Sequence, residues 1–242
     1  MKKFSNEIRF FQWWKSLVTL LVLLSTGSSA FAQQTAPAHT KPGATPSLQT
    51  VAALSKLYEL RFWTGKSYSL KDDANKQAIV AFQKLAGLPR TGKLNDVTIA
   101  RIQEAKAPVA HILLPERHLE VDLNHQVLFV VDSNDNVEHI LPVSTGNGKQ
   151  FDFPGKGPEY ARTPRGKFKV FYKISGWRKS PLGMMFNPMY FQGGFAMHGA
   201  SNVPPTPASH GCIRIPMFAM EDMFQSTPVG TPVIVFGENP SQ

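Results

Sequence analysis

The chain has 242 residues, 42% of them hydrophobic, and a formal net charge of +9. Its Lys and Arg residues are dispersed and form no cluster interleaved with aromatics, which excludes a nucleic-acid footprint and leaves anionic surroundings, such as envelope polymers or membrane faces, to a basic chain. A single cysteine excludes an internal disulfide.

At the N-terminus, Lys2, Lys3, Arg9 and Lys15 form a basic leader, Leu17 to Leu24 is almost wholly apolar, and Ala30-Phe31-Ala32 has the small-x-small pattern of a signal-peptidase site. Residues 1–32 therefore read as a secretory signal peptide. The competing reading, an uncleaved anchor, asks for about 20 apolar residues, and this run is much shorter. No later stretch is long and apolar enough to span a bilayer, so the mature chain is expected to have no transmembrane segment. Cleavage removes four basic residues and one acidic residue, lowering the formal charge from +9 to +6. Export carries the lone cysteine to the envelope, in the periplasm, where thiols are usually paired. Three fates stay open for it: a reactive nucleophile, an intermolecular disulfide, or a buried inert thiol.

Residues 33–46 are rich in Pro, Ala and Thr without apolar periodicity and read as a flexible spacer. Ser47 can cap a helix whose apolar positions Val51, Leu54, Leu57 and Tyr58 share a face. A second helix is predicted from Asp73 to Ala86, with Ala78, Phe82 and Leu85 at helical spacing and Gly87 placed to stop it. Asn95 can cap a third, carrying Val97, Ala100 and Ile102. Together these give a small three-helix bundle over 47–107. The stretch "AIVAFQKLAGLPRTGKLNDVTIARI", Ala78 to Ile102, resembles the peptidoglycan-binding-like domain: a helix ending in Phe-Gln, a Gly-Leu exit, a Thr-Gly turn, then Asp-x-Thr opening another helix. The resemblance implies a glycan-binding module or a spacer, while Phe82, Leu85, Leu88 and Ile102 are equally the residue types that any helical core buries.

After Ala105 to Pro108 the period changes from 3.6 to two. Leu119, Val121 and Leu123 alternate with Glu120 and Asp122, Val127 to Val131 is β-rich, and Ser133 to Asn136 reads as a turn before a strand over Val137 to Ser144. "GKFKVFYKI", Gly166 to Ile174, and "TPVIVFG", Thr231 to Gly237, add strands. A mostly-β domain over 111–237 follows, and the fold class is α+β.

The cysteine lies in "SHGCIRIP", Ser209 to Pro216. If Ser209 to Ile215 is even partly extended, His210, Cys212 and Arg214 share one face, while Gly211, Ile213 and Ile215 take the other and the apolar residues anchor it in the core. A cationic imidazole or guanidinium nearby favours the thiolate and lowers the thiol pKa from about 8.5. The planar fork of Arg214 suits a substrate carboxylate, and Gly211 leaves backbone N–H groups uncrowded for a developing oxyanion. Upstream, "FAMHGAS" places His198 at a strand end before Gly199. A thiol nucleophile needs a base within reach, and His198 is the candidate. A zinc site of His198, His210 and Cys212 is the rival chemistry, but Arg214 would repel the cation and no fourth ligand is evident. No metal or cofactor is expected.

"HGASNVPPTPASHGCIR", His198 to Arg214, resembles the signature of the YkuD-type L,D-transpeptidase catalytic domain, His-Gly, a variable loop, then Ser/Thr-His-Gly-Cys-x-Arg, with supporting matches in "LEVDLNHQVLFVV", "PVSTGN" and "TPRGKFKV". The resemblance implies a β-sandwich-like fold and a cysteine acyltransferase. Cys212 would attack the carbonyl between the third residue of a peptidoglycan stem tetrapeptide and its terminal D-alanine. His198 would move the proton, and Ser209, His210, Gly211 and Gly199 would support the site and its oxyanion. The resulting thioester would pass to an amine of a second stem peptide, or of an envelope lipoprotein; water instead would make a carboxypeptidase, and cleavage of wall–protein links is a further outcome. A non-catalytic wall-binding protein is the remaining alternative. The compact, Pro-rich loop Ala200 to Ala208 could shape the donor or the acceptor side. Asn147 to Arg162, with Phe151, Phe153 and Tyr160, is expected to form a lid, and Trp177 and Tyr190 are candidates to line the site or fill the core.

Overall fold

The computed structural model describes residues 45–240; the signal-peptide reading and nearly all of the spacer fall outside that range. Three helices come first: α1 (Leu48–Glu59), α2 (Asp73–Leu85) and α3 (Asp96–Glu104). Their starts follow from local chemistry. Ser47 Oγ accepts the Thr50 N–H at 3.1 Å, Asp72 Oδ1 the Ala74 N–H at 3.0 Å, and Asn95 Oδ1 the Thr98 N–H at 2.9 Å, each satisfying an N–H that a helix end leaves without a partner. Gly87, at φ +66, stops α2 in the left-handed conformation that only glycine adopts freely. The buried face of α1 carries Ala53, Leu54 and Leu57, whereas Tyr58 of the predicted face is exposed, and on α3 Thr98 and Ile102 are buried while Val97 points outward.

The β-strands form two five-stranded sheets and a hairpin. β1 (His118–Asp122), β2 (Val127–Val131) and β3 (Val137–Pro142) form a meander, and the sheet order β3-β2-β1-β12-β6 is completed by β6 (Gly166–Lys169) and β12 (Pro232–Phe236), which runs parallel to β1. In the second sheet β7 (Tyr172–Lys173), β9 (Gly183–Gln192), β10 (Phe195–Ala200) and β11 (Ile213–Pro216) lie side by side in the order β11-β10-β9-β7, and β8 (Trp177–Ser180) pairs with β9. β10 and β11 are parallel, setting His198 beside Arg214. A separate hairpin joins β4 (Gln150–Phe153) to β5 (Gly157–Tyr160).

The period-two pattern of β1 and β2 serves two cores at once. Leu119, Val121, Leu128 and Val130 join Met189, Met197, Ile213 and Ile215 of the second sheet, together with Ala219, Met220 and Met223 of helix α4 (Met217–Ser226). The opposite side chains, Val127, Phe129 and Val131, join Leu57, Ile79, Phe82 and Ile102 of the helices. β1 and β2 are therefore buried along their whole length, and each fully buried Leu, Ile or Phe contributes about 2 kcal/mol of transfer free energy. The helical layer completes its core on the outer face of the first sheet. Nothing in this packing isolates a free-standing bundle.

One strand prediction is corrected, and one helix went unpredicted. "GKFKVFYKI" is not one strand, because β6 pairs with β12 in the first sheet and β7 with β9 in the second, so the chain changes sheet between Lys169 and Tyr172. Helix α4 carries no local signal: Pro216 precedes it and no side chain caps its first turn.

Candidate active site

Cys212 lines a cavity of about 570 Å³ together with His198, Ser209, His210, Arg214 and Trp177. The rest of the wall comes from β8, the start of β9 and the segment Ala200 to Asn202. Sequence reasoning had no signal for the β8–β9 part of the wall, Ser180, Leu182, Met184 and Met185, because it is brought there by strand pairing.

The turn that presents the thiol is held by its own side chains. Ser209 is buried, its Oγ donates to the Cys212 carbonyl at 2.5 Å and accepts the Gly211 N–H at 3.0 Å. Gly211 sits at φ +126, and a Cβ there would lie 2.5 Å from Phe195 Cε1 and 2.8 Å from the Arg162 carbonyl oxygen, so both conformation and space demand glycine. Thr163 Oγ1 donates to the Gly211 carbonyl at 2.8 Å and accepts the Gly146 N–H at 2.9 Å. Thr163 lies in "TPRGKFKV", a stretch the sequence marked without giving it a role.

Two expectations are corrected here, the oxyanion role of the Gly211 N–H and the lid, and two open readings are narrowed. Ser209 to Cys212 is a turn, and β11 begins only at Ile213, although Ile213 and Ile215 are buried as the alternation requires. The Gly211 N–H is occupied by Ser209 Oγ in this conformation, so its work is to shape the turn. Tyr190 does not line the cavity; it stacks on Tyr172 with ring centroids 6.0 Å apart and neighbours Phe171. The expected lid is the β4–β5 hairpin, which lines no part of this cavity and meets the site through Phe151, whose ring centroid is 4.6 Å from that of His210.

His198, on β10, is buried, and its Nδ1 lies 3.0 Å from the Gly199 carbonyl oxygen. A carbonyl can only accept, so Nδ1 carries the proton and Nε2 is left as the acceptor of the neutral ring. Burial pushes the His198 pKa down; the Gly199 bond opposes this and the Arg214 charge adds to it. At Cys212 desolvation pushes the thiol pKa up, against weaker stabilisation of the thiolate by the Ala196 backbone and Arg214. The expected depressed thiol pKa is thus reversed. Cys212 is partly exposed as a residue and lines the cavity, while burial of its thiol disfavours the charged form. With the thiol pKa pushed up and the imidazole pKa pushed down, both of these cavity-lining groups favour their neutral forms.

Arg214 faces the same cavity and, among the described residues, pairs with no carboxylate. Gly199 lets helix α4 approach β10 closely, since a Cβ there would stand 3.0 Å from Met217 Sδ. Among the described residues, no three His, Cys, Asp or Glu side chains gather into a group able to hold a metal ion.

A family profile described as YkuD, the L,D-transpeptidase catalytic domain, matches residues 116–235. The L,D-transpeptidase of Xylanimonas cellulosilytica (its residues 123–326) is 35% identical, with 78% of this chain and 94% of that one covered at a TM-score of 0.72. The chain belongs to the L,D-transpeptidase family. An L,D-transpeptidase of Stackebrandtia nassauensis is also similar, at 22% identity and a TM-score of 0.48 over 80% of this chain and 93% of that one. No curated protein matches the chain significantly. The family's Ser-His-Gly-Cys-x-Arg pattern falls on the turn and strand that bring Cys212 and Arg214 into the cavity with His198. Among the described residues no helix is long and apolar enough to cross a membrane.

Proposed function

We propose that the protein is an exported cysteine L,D-transpeptidase acting on peptidoglycan stem tetrapeptides, with Cys212 as the nucleophile and His198 as the proton carrier. One observation supports this above the others: Cys212 and Arg214 share a cavity with a histidine whose Nδ1 is committed to a carbonyl, leaving Nε2 free as base. As Cys212 Sγ attacks the carbonyl of the third stem residue, its proton passes to His198 Nε2, avoiding a free thiolate that the site solvates poorly. The tetrahedral oxyanion is met by the Cys212 N–H and the exposed His210 ring. His198 then protonates the departing D-alanine amine, and a thioester remains. An acceptor amine, deprotonated by His198, attacks the thioester, forms an amide and returns the thiol. Arg214 takes a substrate carboxylate.

In the family's setting the acceptor is a second stem peptide or an envelope lipoprotein amine. The leader, residues 1–32, delivers the chain to the periplasm, and the helices over 47–107 accompany the catalytic domain, 111–237, as a peptidoglycan-binding-like module. The test is incubation with purified tetrapeptide muropeptides followed by mass spectrometry, wild type against Cys212→Ala. Crosslinked dimers identify transpeptidation; tripeptides alone identify a carboxypeptidase. Product formation by the Ala variant equal to wild type overturns the assignment of Cys212.

A further inference from the structure

We propose that Lys84, near the end of α2, is a positioning residue for the catalytic turn, acting through a buried hydrogen-bonded chain that runs from the helical layer to Ser209. Lys84 Nζ donates to the carbonyl oxygens of Gln126, at 3.0 Å, and Val143, at 2.8 Å. The Gln126 side chain grips Thr145 twice, donating from Nε2 to Oγ1 at 2.7 Å and accepting the Thr145 N–H at Oε1 at 2.9 Å. The Thr145 carbonyl accepts the N–H groups of Ala208 and Ser209, at 3.0 and 2.9 Å. Ser209 in turn closes the turn that carries Cys212. On the other flank, Ser144 and Arg214 exchange backbone hydrogen bonds at 3.2 and 3.0 Å, and Ser144 Oγ donates to the Thr206 carbonyl. The segment 143–145 thus holds the catalytic turn on both sides, and Lys84 holds that segment.

Lys84 is 1% exposed, and Gln126, Ser144, Thr145 and Ser209 are at most 2% exposed. In such surroundings a hydrogen bond is strong and directional because water does not compete for it. An ammonium placed there loses its hydration, which an apolar side chain of similar length would not, so bulk alone does not account for lysine at this position. The two carbonyls it bridges belong to different elements, Gln126 in the β1–β2 turn and Val143 just past β3. A second tether comes from the same layer: Arg90 Nη1 donates to the Pro205 carbonyl at 3.0 Å, within the loop whose first residues line the cavity. The helical layer therefore fixes the catalytic turn as well as covering the sheet. Misplacing a reacting group by about 1 Å can cost about a hundredfold in rate.

The inference rests on Cys212 as the nucleophile, and the experiment keeps the two apart. Single-turnover acylation of the full chain by a tetrapeptide donor is followed by intact-protein mass for wild type, Lys84→Met, Thr145→Val and Cys212→Ala, below the melting temperature of each. Lys84→Met and Thr145→Val are expected to slow acylation at least about tenfold. Alkylation of Cys212 by iodoacetamide is expected to stay within about twofold, since it needs the thiol but no oriented substrate. The double variant should be no slower than the slower single one, because both break one chain. A folded Lys84→Met protein that acylates at the wild-type rate overturns the proposal. Should that variant not fold, Thr145→Val, which removes a single bond inside the chain, decides the matter in its place: acylation at the wild-type rate overturns the proposal there too. Acylation of Cys212→Ala would instead overturn the nucleophile, and the positioning role with it.

Discussion

Two buried amides of the helical layer and the groups around Cys212 are partnered differently. In the helical layer every polar group of two buried amides is closed on the protein. Gln83 Nε2 donates to Thr91 Oγ1, the Lys93 carbonyl and Thr98 Oγ1, and its Oε1 accepts the Gly92 N–H. Asn75 likewise joins the Gly65 N–H to the carbonyls of Ser67 and Ser69. The Phe-Gln and Thr-Gly pairs that resemble a wall-binding domain are thus a stitch between helix and turn. At the catalytic turn, the Cys212 thiol, His198 Nε2 and the Arg214 fork are left to the cavity. Buried polar groups are normally satisfied; among the described residues Gln77 Oε1 in α2 and Thr227 Oγ1 are buried without a partner, so what sets Cys212, His198 and Arg214 apart is that they open onto the cavity, where a substrate can reach them.

Variants can break that comparison. The largest effect is expected at His198: His198→Ala should lower the acylation rate about 10²–10⁴-fold with the melting temperature little changed, measured by single-turnover mass spectrometry and calorimetry. Next comes the buried lysine. Its pKa falls from 10.5 to about 7, chiefly by desolvation, with Arg90 adding to it. The unfolded chain keeps the proton to about pH 10.5 and the folded chain only to about 7. The contribution of Lys84 to stability should therefore climb by about 5 kcal/mol as pH rises through this window, and denaturant titrations of Lys84→Met should lack that climb. Gln83→Ala should cost about 1–3 kcal/mol by stranding its partners while leaving acylation unchanged; a slower enzyme would show that this stitch, too, reaches the site.

A finer measurement concerns protons. Because burial pushes the thiol pKa up, the midpoint of iodoacetamide alkylation against pH should lie above about 8.5, the midpoint of an ordinary thiol. Because His198 is pushed down, the acid limb of acylation should lie below the ordinary histidine range, about 6.5. Alkylation that saturates near pH 7 would restore a thiolate–imidazolium pair. The smallest effect belongs to the exposed Lys56–Glu59 pair, 3.5 Å apart: Glu59→Gln should change stability by less than about 1 kcal/mol and activity not at all.

What the residues disclosed depended on how local the governing interaction is. Ser47 and Asn95 announce helices because a cap is made within three residues. The alternation of Leu119 to Leu123 announces a strand, but not that Val127, Phe129 and Val131 would meet helices on the far face. Cys212, His198, His210 and Arg214 stand out by residue type and spacing. Thr145 and Thr163 do not, since their partners lie 17 to 76 positions away in the chain.

The sequence by itself determined the candidate site residues, the helix starts and most of the residues that are buried, because these depend on side-chain chemistry and on near neighbours. Only the tertiary structure decided which nitrogen of His198 is free, that burial pushes the thiol pKa up, and that Lys84 reaches from a helix to the carbonyls of Gln126 and Val143. Those outcomes are set by desolvation and by hydrogen bonds between segments far apart in the chain, and neither can be read along the chain.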